Sequence, residues 1–110
     1  MDDELVAGGR YARLVTTGRR SGQPRAVTVG FVERSDGSLD VAARPGAGWA
    51  ENLLDHPACT VTVGDRSWPA VAEPLDGPEL AAAIRDQILR YGTPAESLGL
   101  GYAFRLRPVR

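Results

Sequence analysis

Residues 16–25, which read Thr-Thr-Gly-Arg-Arg-Ser-Gly-Gln-Pro-Arg, form a polar segment between two apolar runs at residues 11–15 and 26–32. Glycine reaches positive φ without a Cβ clash, so two glycines close to a proline favour a tight turn. In the second run Val27, Val29 and Phe31 recur at every other position. This period predicts a strand with one buried face, and the segment is therefore expected to be a turn between two strands.

The same turn concentrates groups that bind anions. It carries Arg19, Arg20 and Arg25, with Ser21 between them. A guanidinium group is a planar fork that contacts two phosphate oxygens at once. A glycine-bearing turn can also direct backbone N–H groups towards one anion. Two interpretations follow from the residues alone: an anion-binding cradle or an ordinary solvated hairpin turn.

The remainder of the chain predicts a small antiparallel barrel with added helices. Strands are expected at residues 10–17, 25–33, 39–43, 59–63, 66–75 and 102–107, and helices at 49–55 and 78–91. Pro69 inside the fifth strand indicates an edge strand or a bulge. Residues 1–9 are expected to be a poorly ordered segment or a short helical lead-in. About six strands and two helices are thus predicted in one domain covering residues 1–110.

Charge and composition limit the possible partners. The formal net charge is −1, so no overall field attracts the chain to nucleic acid or anionic lipid. All 13 Lys and Arg residues are arginines, which excludes a Schiff-base lysine. The acidic first residues and the absence of a long apolar run predict neither a signal peptide nor a membrane segment. The protein is therefore expected to be cytoplasmic.

Few side chains offer reactive chemistry. Cys59 is the only cysteine and lies in a strand pattern, so a buried inert thiol is expected, without a disulfide or a Cys-based zinc site. His56 is the only histidine and precedes a proline, which is typical of a helix end. No metal-binding set is found. If the protein is an enzyme, a bound cofactor is expected to supply the chemistry.

Four motifs in order resemble a known family. They are Thr16-Thr17-Gly18-Arg19-Arg20-Ser21-Gly22-x-Pro-Arg25, Val41-Ala42-Ala43-Arg44-x-Gly46, Trp49-x-x-Asn52-Leu53-x-x-His56-Pro57 and Thr60-Val61-x-Val63-Gly64. This set resembles the deazaflavin-dependent nitroreductase and quinone reductase family, over about residues 13–75. The resemblance implies a split β-barrel and reduced coenzyme F420 as the cofactor.

The resemblance also implies roles for individual residues. The turn, with Gly18, Arg19, Arg20, Ser21, Gly22 and Arg25, would hold the phosphodiester side of the cofactor tail. Arg44 would face the anionic tail or the ring edge, and backbone atoms of Ala42, Ala43 and Pro45 would line the deazaflavin ring. Trp49 and Asn52 would lie near the ring and tail. From the residues alone, Trp49 also fits a core position, and Asn52 also fits a cap of a neighbouring turn.

The activity implied is hydride transfer from the reduced cofactor to a small quinone, nitro compound or enone. Tyr91 and Tyr102 are the candidate residues on the substrate side, with Tyr102, a backbone N–H or water as the proton source. Nitroreductase members of the family have a longer N-terminal segment over the active site, whereas about ten residues precede the first predicted strand here. Two alternatives stay open: an FMN-binding split barrel, and a non-catalytic carrier or scavenger of the cofactor or a dimerising structural module. A homodimer formed through the barrel face is compatible with each of them.

Overall fold

The computed structural model describes residues 2–44, 46–91 and 101–109. Within them, seven antiparallel strands form one sheet: β1 (Ala12–Thr17), β2 (Pro24–Val29), β3 (Val32–Glu33), β4 (Leu39–Ala43), β5 (Ala58–Val63), β6 (Arg66–Pro74) and β7 (Tyr102–Pro108). The helices are α1 (Asp2–Ala7), α2 (Gly48–Asp55) and α3 (Gly77–Tyr91). None of these described helices has the length and apolar character needed to cross a membrane.

The strand order requires the sheet to close on itself. The order is β2-β1-β5-β6-β7-β4-β3, so β2 and β3 are the two edges. Only Gly30 and Phe31 separate these edge strands along the chain. Because consecutive Cα atoms are about 3.8 Å apart, the two edges lie within about 11 Å of each other. The predicted barrel with added helices is confirmed.

The apolar core fills the barrel and extends under α3. The largest side chains that are fully buried are mostly apolar and come from five of the elements: Leu14, Leu39, Val41, Leu53, Val61, Phe104 and Leu106. On the outside of the sheet, Ala83 and Ile84 of α3 pack against Ala42 and Ala103. All five residues of β4 are buried, because the barrel interior covers one face of that strand and α3 covers the other.

The C-terminal end of α3 packs over the junction between β2 and β3, which consists of Gly30 and Phe31 and is called the seam. The hydroxyl of Tyr91 accepts the Phe31 N–H at 3.0 Å and lies 2.7 Å from the Arg10 carbonyl, to which it can donate. Gln87 Nε2 donates to the Gly30 carbonyl at 3.3 Å. These side chains satisfy backbone groups that lie between the two strands, where the sheet offers no partner.

The predicted second strand, residues 25–33, is divided in two. Its first part pairs with β1, whereas its last two residues pair with β4 on the opposite edge of the sheet. The Phe31 N–H donates to the Tyr91 hydroxyl and not to a neighbouring strand, so the ladder of strand hydrogen bonds is interrupted there. The split adds a seventh strand to the six expected. At the N-terminus, α1 occupies part of the predicted lead-in.

The expected edge strand or bulge at Pro69 is wrong, because β6 is an interior strand between β5 and β7 and pairs with β5 without interruption at Thr60 and Pro69. The Pro69 carbonyl accepts the Val109 N–H at 3.0 Å, just beyond the end of β7. In a strand, the nitrogen and carbonyl of one residue face the same neighbour. The proline nitrogen therefore faces the end of β7, where a missing donor costs at most one terminal hydrogen bond, and pairing with β5 is unaffected.

A buried ion-pair group, which the sequence did not indicate, ties β7 to β4 and α3. Arg105 Nε contacts Asp40 Oδ1 at 2.9 Å, and Arg105 Nη1 contacts Glu79 Oε2 at 2.8 Å. Arg34 approaches the same Asp40 carboxylate at 3.3 Å. The hydrogen bonds to Asp40, with a smaller contribution from Glu79, hold the pKa of Arg105 above its ordinary value. The buried charges of Asp40 and Arg105 are therefore both compensated by an opposite charge and by hydrogen bonds.

The seam predicts a specific stability defect. A Cβ atom at Gly30 would lie 2.8 Å from Tyr91 Cε2 and 3.1 Å from Gln87 Oε1. We expect Gly30→Ala to lower the free energy of unfolding by about 1–3 kcal/mol, because the ring must move and its hydrogen bonds weaken. Urea unfolding followed by circular dichroism measures the change. Gly48→Ala is the control, since a Cβ at that position meets no atom within 4 Å; equal losses in both variants would contradict the close fit.

Candidate functional site

A cleft of about 440 Å³ lies between the β1–β2 turn and the start of α2. Its lining consists of residues from these two elements and from β2: Gly18, Arg19, Arg20, Ser21, Arg25, Ala26, Val27, Gly48, Trp49 and Asn52. The antiparallel pairing of β1 with β5 places Val15 opposite Thr60. The start of β5, and α2 just before it, thus lie at the barrel end that carries the turn.

The turn has the tight geometry that its glycines predict. Gly18 N–H donates to the Gln23 carbonyl at 2.9 Å, and Gly22 N–H donates to the Gly18 carbonyl at 2.9 Å. Gly22 has φ +69°, and a Cβ at Gly18 would lie 2.6 Å from Ser21 Oγ. Among the described residues, the N–H groups of Arg20 and Ser21 have no protein acceptor. Both are available to an anion.

The arginines of the cleft lack the partners that most other arginines have. In the described part of the chain, exposed Arg19, Arg20 and Arg25 make no ion pair and no contact with an aromatic ring. Elsewhere, five arginines pair with carboxylates (Arg34, Arg66, Arg85, Arg105 and Arg107), and two lie over rings (Arg10 and Arg90). The cleft is therefore a local concentration of uncompensated positive charge on a chain of net charge −1.

Trp49 provides an aromatic wall beside these cations. It is half-buried, lines the cleft and packs against the barrel core, with its ring centroid 6.2 Å from that of Phe104. The structure gives Trp49 the core position that the sequence left open and also places it in the cleft lining, and its role beside a cofactor stays a prediction. A cleft with one flat apolar wall and a cationic rim suits a planar molecule that carries an anionic chain.

Asn52 also has two functions in the structure. It lines the cleft, and its Oδ1 accepts the Arg19 N–H at 3.1 Å. Its Nδ2 donates to Thr16 Oγ1 at 3.3 Å. The cap of a neighbouring turn and the lining position therefore coexist. Thr16 belongs to the first motif, but its bond to Asn52 could not be expected from the sequence, because the contact joins residues 36 positions apart.

The predicted residues of β4 are not brought to the cleft lining. Ala42 is buried against α3, and Ala43 is buried in the barrel core. Arg44 is exposed in the segment that leads to α2, and its carbonyl accepts the Ala47 N–H at 3.1 Å. Pro45 lies outside the described residues. The cofactor roles of these residues stay predictions.

The two candidate tyrosines lie apart from the cleft lining as well. Tyr91 is in the seam, where its hydroxyl bonds to backbone groups. Tyr102 is 37% exposed at the start of β7, with its ring 6.3 Å from that of Phe104. The Phe104 ring lies at similar centroid distances from the rings of Tyr102 and Trp49. A substrate-side role for either tyrosine stays a prediction.

Residues able to act as nucleophiles or metal ligands are not concentrated here. Cys59 is buried, as expected, and burial raises the pKa of its thiol to about 11. His56 caps α2, with its backbone N–H donating to the Asn52 carbonyl at 2.7 Å. Among the described residues, no three His, Cys, Asp or Glu side chains are grouped to hold a metal ion.

Comparison with known proteins gives one family. A family model described as F420H(2)-dependent quinone reductase matches residues 4–94. An F420H(2)-dependent quinone reductase of Mycobacterium tuberculosis (strain ATCC 25618 / H37Rv) is 32% identical over an alignment of 66 residues, which covers 56% of this chain and 44% of that protein. The chain therefore spans less than half the length of this curated relative.

Solved structures share the fold. A structure of an F420-H2 dependent reductase, FDR-A, superposes with a TM-score of 0.77 at 26% identity, covering 89% of this chain and 94% of that chain. Another, described as a domain-swapped dimer, has a TM-score of 0.77 at 23% identity and covers 96% of this chain and 92% of that chain. At that identity, the second likeness shows the fold alone.

Burial of Cys59 predicts slow thiol chemistry in the folded protein. With a pKa of about 11, little thiolate is present near pH 8, and the core restricts access to it. We expect a disulfide reagent such as DTNB to react with the native protein only on the timescale of unfolding. Addition of urea should restore fast reaction. Rapid labelling of the native protein would contradict the buried position.

Proposed function

Because the chain belongs to the F420H(2)-dependent quinone reductase family, we propose that it is an oxidoreductase that uses reduced coenzyme F420 to reduce a small electrophilic acceptor. A quinone is the acceptor class that the family description suggests, and nitro compounds and enones share its electrophilic character. The observation that carries this proposal is the group of unpaired arginines around the cleft.

The residues of the cleft fit the cofactor. Its tail carries a phosphodiester and several carboxylates, and the turn offers three exposed guanidinium groups with the free N–H groups of Arg20 and Ser21. Each charge-assisted hydrogen bond contributes about 1.5–3 kcal/mol before the cost of binding. Gly18 keeps the turn compact, because a Cβ there would collide with Ser21 Oγ.

In the proposed reaction, the bound cofactor supplies a hydride to the acceptor, and a proton from another source completes the reduction. The protein contributes binding and orientation. Arg19, Arg20 and Arg25 hold the anionic tail, and the half-buried Trp49 shields one side of the cleft from water. None of the described lining residues is Asp, Glu, His or Cys. Water, a backbone N–H or Tyr102 is the proposed proton source, and Tyr102 lies outside the cleft lining.

Binding to coenzyme F420 and to FMN tests the cofactor assignment. We expect a fluorescence-quench titration to show tight binding of F420 and weaker binding of FMN, whose single phosphate uses fewer arginines. Arg19→Ala and Arg25→Ala should each weaken F420 binding by at least about tenfold, as expected for loss of a charge-assisted hydrogen bond.

Arg85→Ala provides the matched control. Arg85 lies on α3 with its side chain 70% exposed, and its substitution removes the same charge at a position outside the cleft. If both cleft variants retain wild-type affinity, the site assignment is wrong. Preference for FMN would keep the fold and exclude the deazaflavin assignment. Tight binding of F420 without reduction of menadione would favour a cofactor carrier.

We also propose that two copies associate through the outer face of β1, β5 and β6. Val15, Thr60 and Pro69 form one row across this face, and Ala58 pairs with Val71 in a neighbouring row. None of these side chains is charged, and all except Val15 are exposed. A stretch of exposed, uncharged residues on a sheet face is suited to association, and here Arg13 of β1 and Arg107 of β7 flank it on the same face.

Sedimentation velocity tests this association. We expect the wild type to sediment as twice the chain mass of 11.7 kDa. Val71→Arg should shift it to the monomer, because a charge would be buried in the contact. Leu89→Arg is the control, since Leu89 is 78% exposed on α3. A monomeric wild type would refute the proposed association.

A further inference from the structure

Two buried polar side chains, Thr16 and Asn52, link helix α2 to both sides of the arginine turn. Asn52 Oδ1 accepts the N–H of Arg19 at 3.1 Å, and Asn52 Nδ2 donates to Thr16 Oγ1 at 3.3 Å. The Thr16 hydroxyl then donates to the Arg25 carbonyl at 3.4 Å. These hydrogen bonds can all form at once, because the Thr16 hydroxyl accepts a hydrogen from Asn52 and donates its own hydrogen to the Arg25 carbonyl.

Burying polar side chains costs free energy, which indicates that Thr16 and Asn52 are there to fix the backbone they bond to. Thr16 is 1% exposed and Asn52 is 8% exposed, and their neighbours Leu14 and Leu53 are apolar core residues. A buried hydroxyl or amide stabilises the fold no better than an apolar side chain of similar shape unless its hydrogen bonds are made. Here the bonds outside the pair go to the backbone of Arg19 and Arg25.

The pair also determines which groups of the turn remain for a ligand. The N–H of Arg19 is occupied by Asn52, so this residue can reach an anion only through its guanidinium. Three cations on one short turn repel each other, and repulsion favours a broad set of conformations in the free protein. Hydrogen bonds to the backbone of Arg19 and Arg25 restrict the number of these conformations. Less conformational entropy is then lost when a ligand binds.

We propose that Thr16 and Asn52 are positioning residues that hold Arg19 and Arg25 in the conformation that binds the anionic cofactor tail. This inference rests on the proposed function for its ligand, but the network itself can be measured without a ligand. Thr16 is the cleaner position to test, because it does not line the cleft, whereas Asn52 does.

The decisive comparison is Thr16→Val against Thr16→Ser. Valine keeps the shape of threonine and removes the hydroxyl, whereas serine keeps the hydroxyl. We expect Thr16→Val to bind coenzyme F420 roughly five- to tenfold more weakly, as for loss of one or two hydrogen bonds, and Thr16→Ser to retain wild-type affinity. Thr62→Val makes the same chemical change outside the cleft lining, with loss of its hydroxyl hydrogen bond to Ser67, and should leave F420 binding unchanged. If Thr16→Val does not fold, Thr16→Ala replaces it.

A second measurement uses the protein without cofactor. Hydrogen exchange followed by NMR reports the protection of the Arg19 amide, which donates to Asn52. We expect exchange to be about tenfold faster in Thr16→Val than in the wild type, while amides of the barrel core are unchanged. A purely structural role of Thr16 would instead accelerate exchange throughout the barrel.

The two measurements separate the possible failures. If the wild type binds F420 and Thr16→Val binds it equally well, the positioning inference is wrong and the proposed function stands. If the wild type does not bind F420, the proposed function fails, and the exchange of the Arg19 amide decides the inference alone. Unchanged protection in Thr16→Val would then overturn it, and faster exchange confined to the turn would support it.

Discussion

The structure depends on one geometric constraint, which is that the chain passes from one edge of its sheet to the other through two residues. Gly30 and Phe31 must leave the β2 pairing and enter the β3 pairing within about 11 Å, and this is possible only in a closed sheet. The backbone groups at the crossing need partners outside the ladder. Tyr91 and Gln87 supply them from α3, so the helix is an integral part of the barrel.

Closure and antiparallel pairing together create the cleft. Because β5 runs antiparallel to β1 and follows α2 closely, the helix lies beside the turn that ends β1. The hydrogen bond from Arg19 to Asn52 then joins residues 33 positions apart. Arginine is used in two ways in this molecule. Arg105 is buried and fully engaged with Asp40, whereas the cleft arginines are exposed and uncompensated, which leaves their charge for a ligand.

Features encoded by neighbouring residues were predictable. The glycines around Arg19 and Arg20 specify the turn, and the predicted bounds of β4, Leu39–Ala43, are those observed. The predicted helix at 78–91 is present as α3, and Leu80, Ile84 and Ile88, which recur at helical spacing, lie on its packed face. Features that depend on distant partners were not. Pro69 has the local signature of an edge, but its nitrogen faces the end of β7, and only the strand order shows this.

By itself, the sequence determined the turn, the strand pattern and the concentration of arginines, because these follow from φ preferences, side-chain period and charge within a few residues. The tertiary structure decided which of those charges stay unpaired, since pairing depends on contacts between distant elements. It decided the role of Thr16, whose sequence position suggests only a strand residue. It also joined Trp49 and Asn52 to the turn, because strand pairing places α2 beside β1.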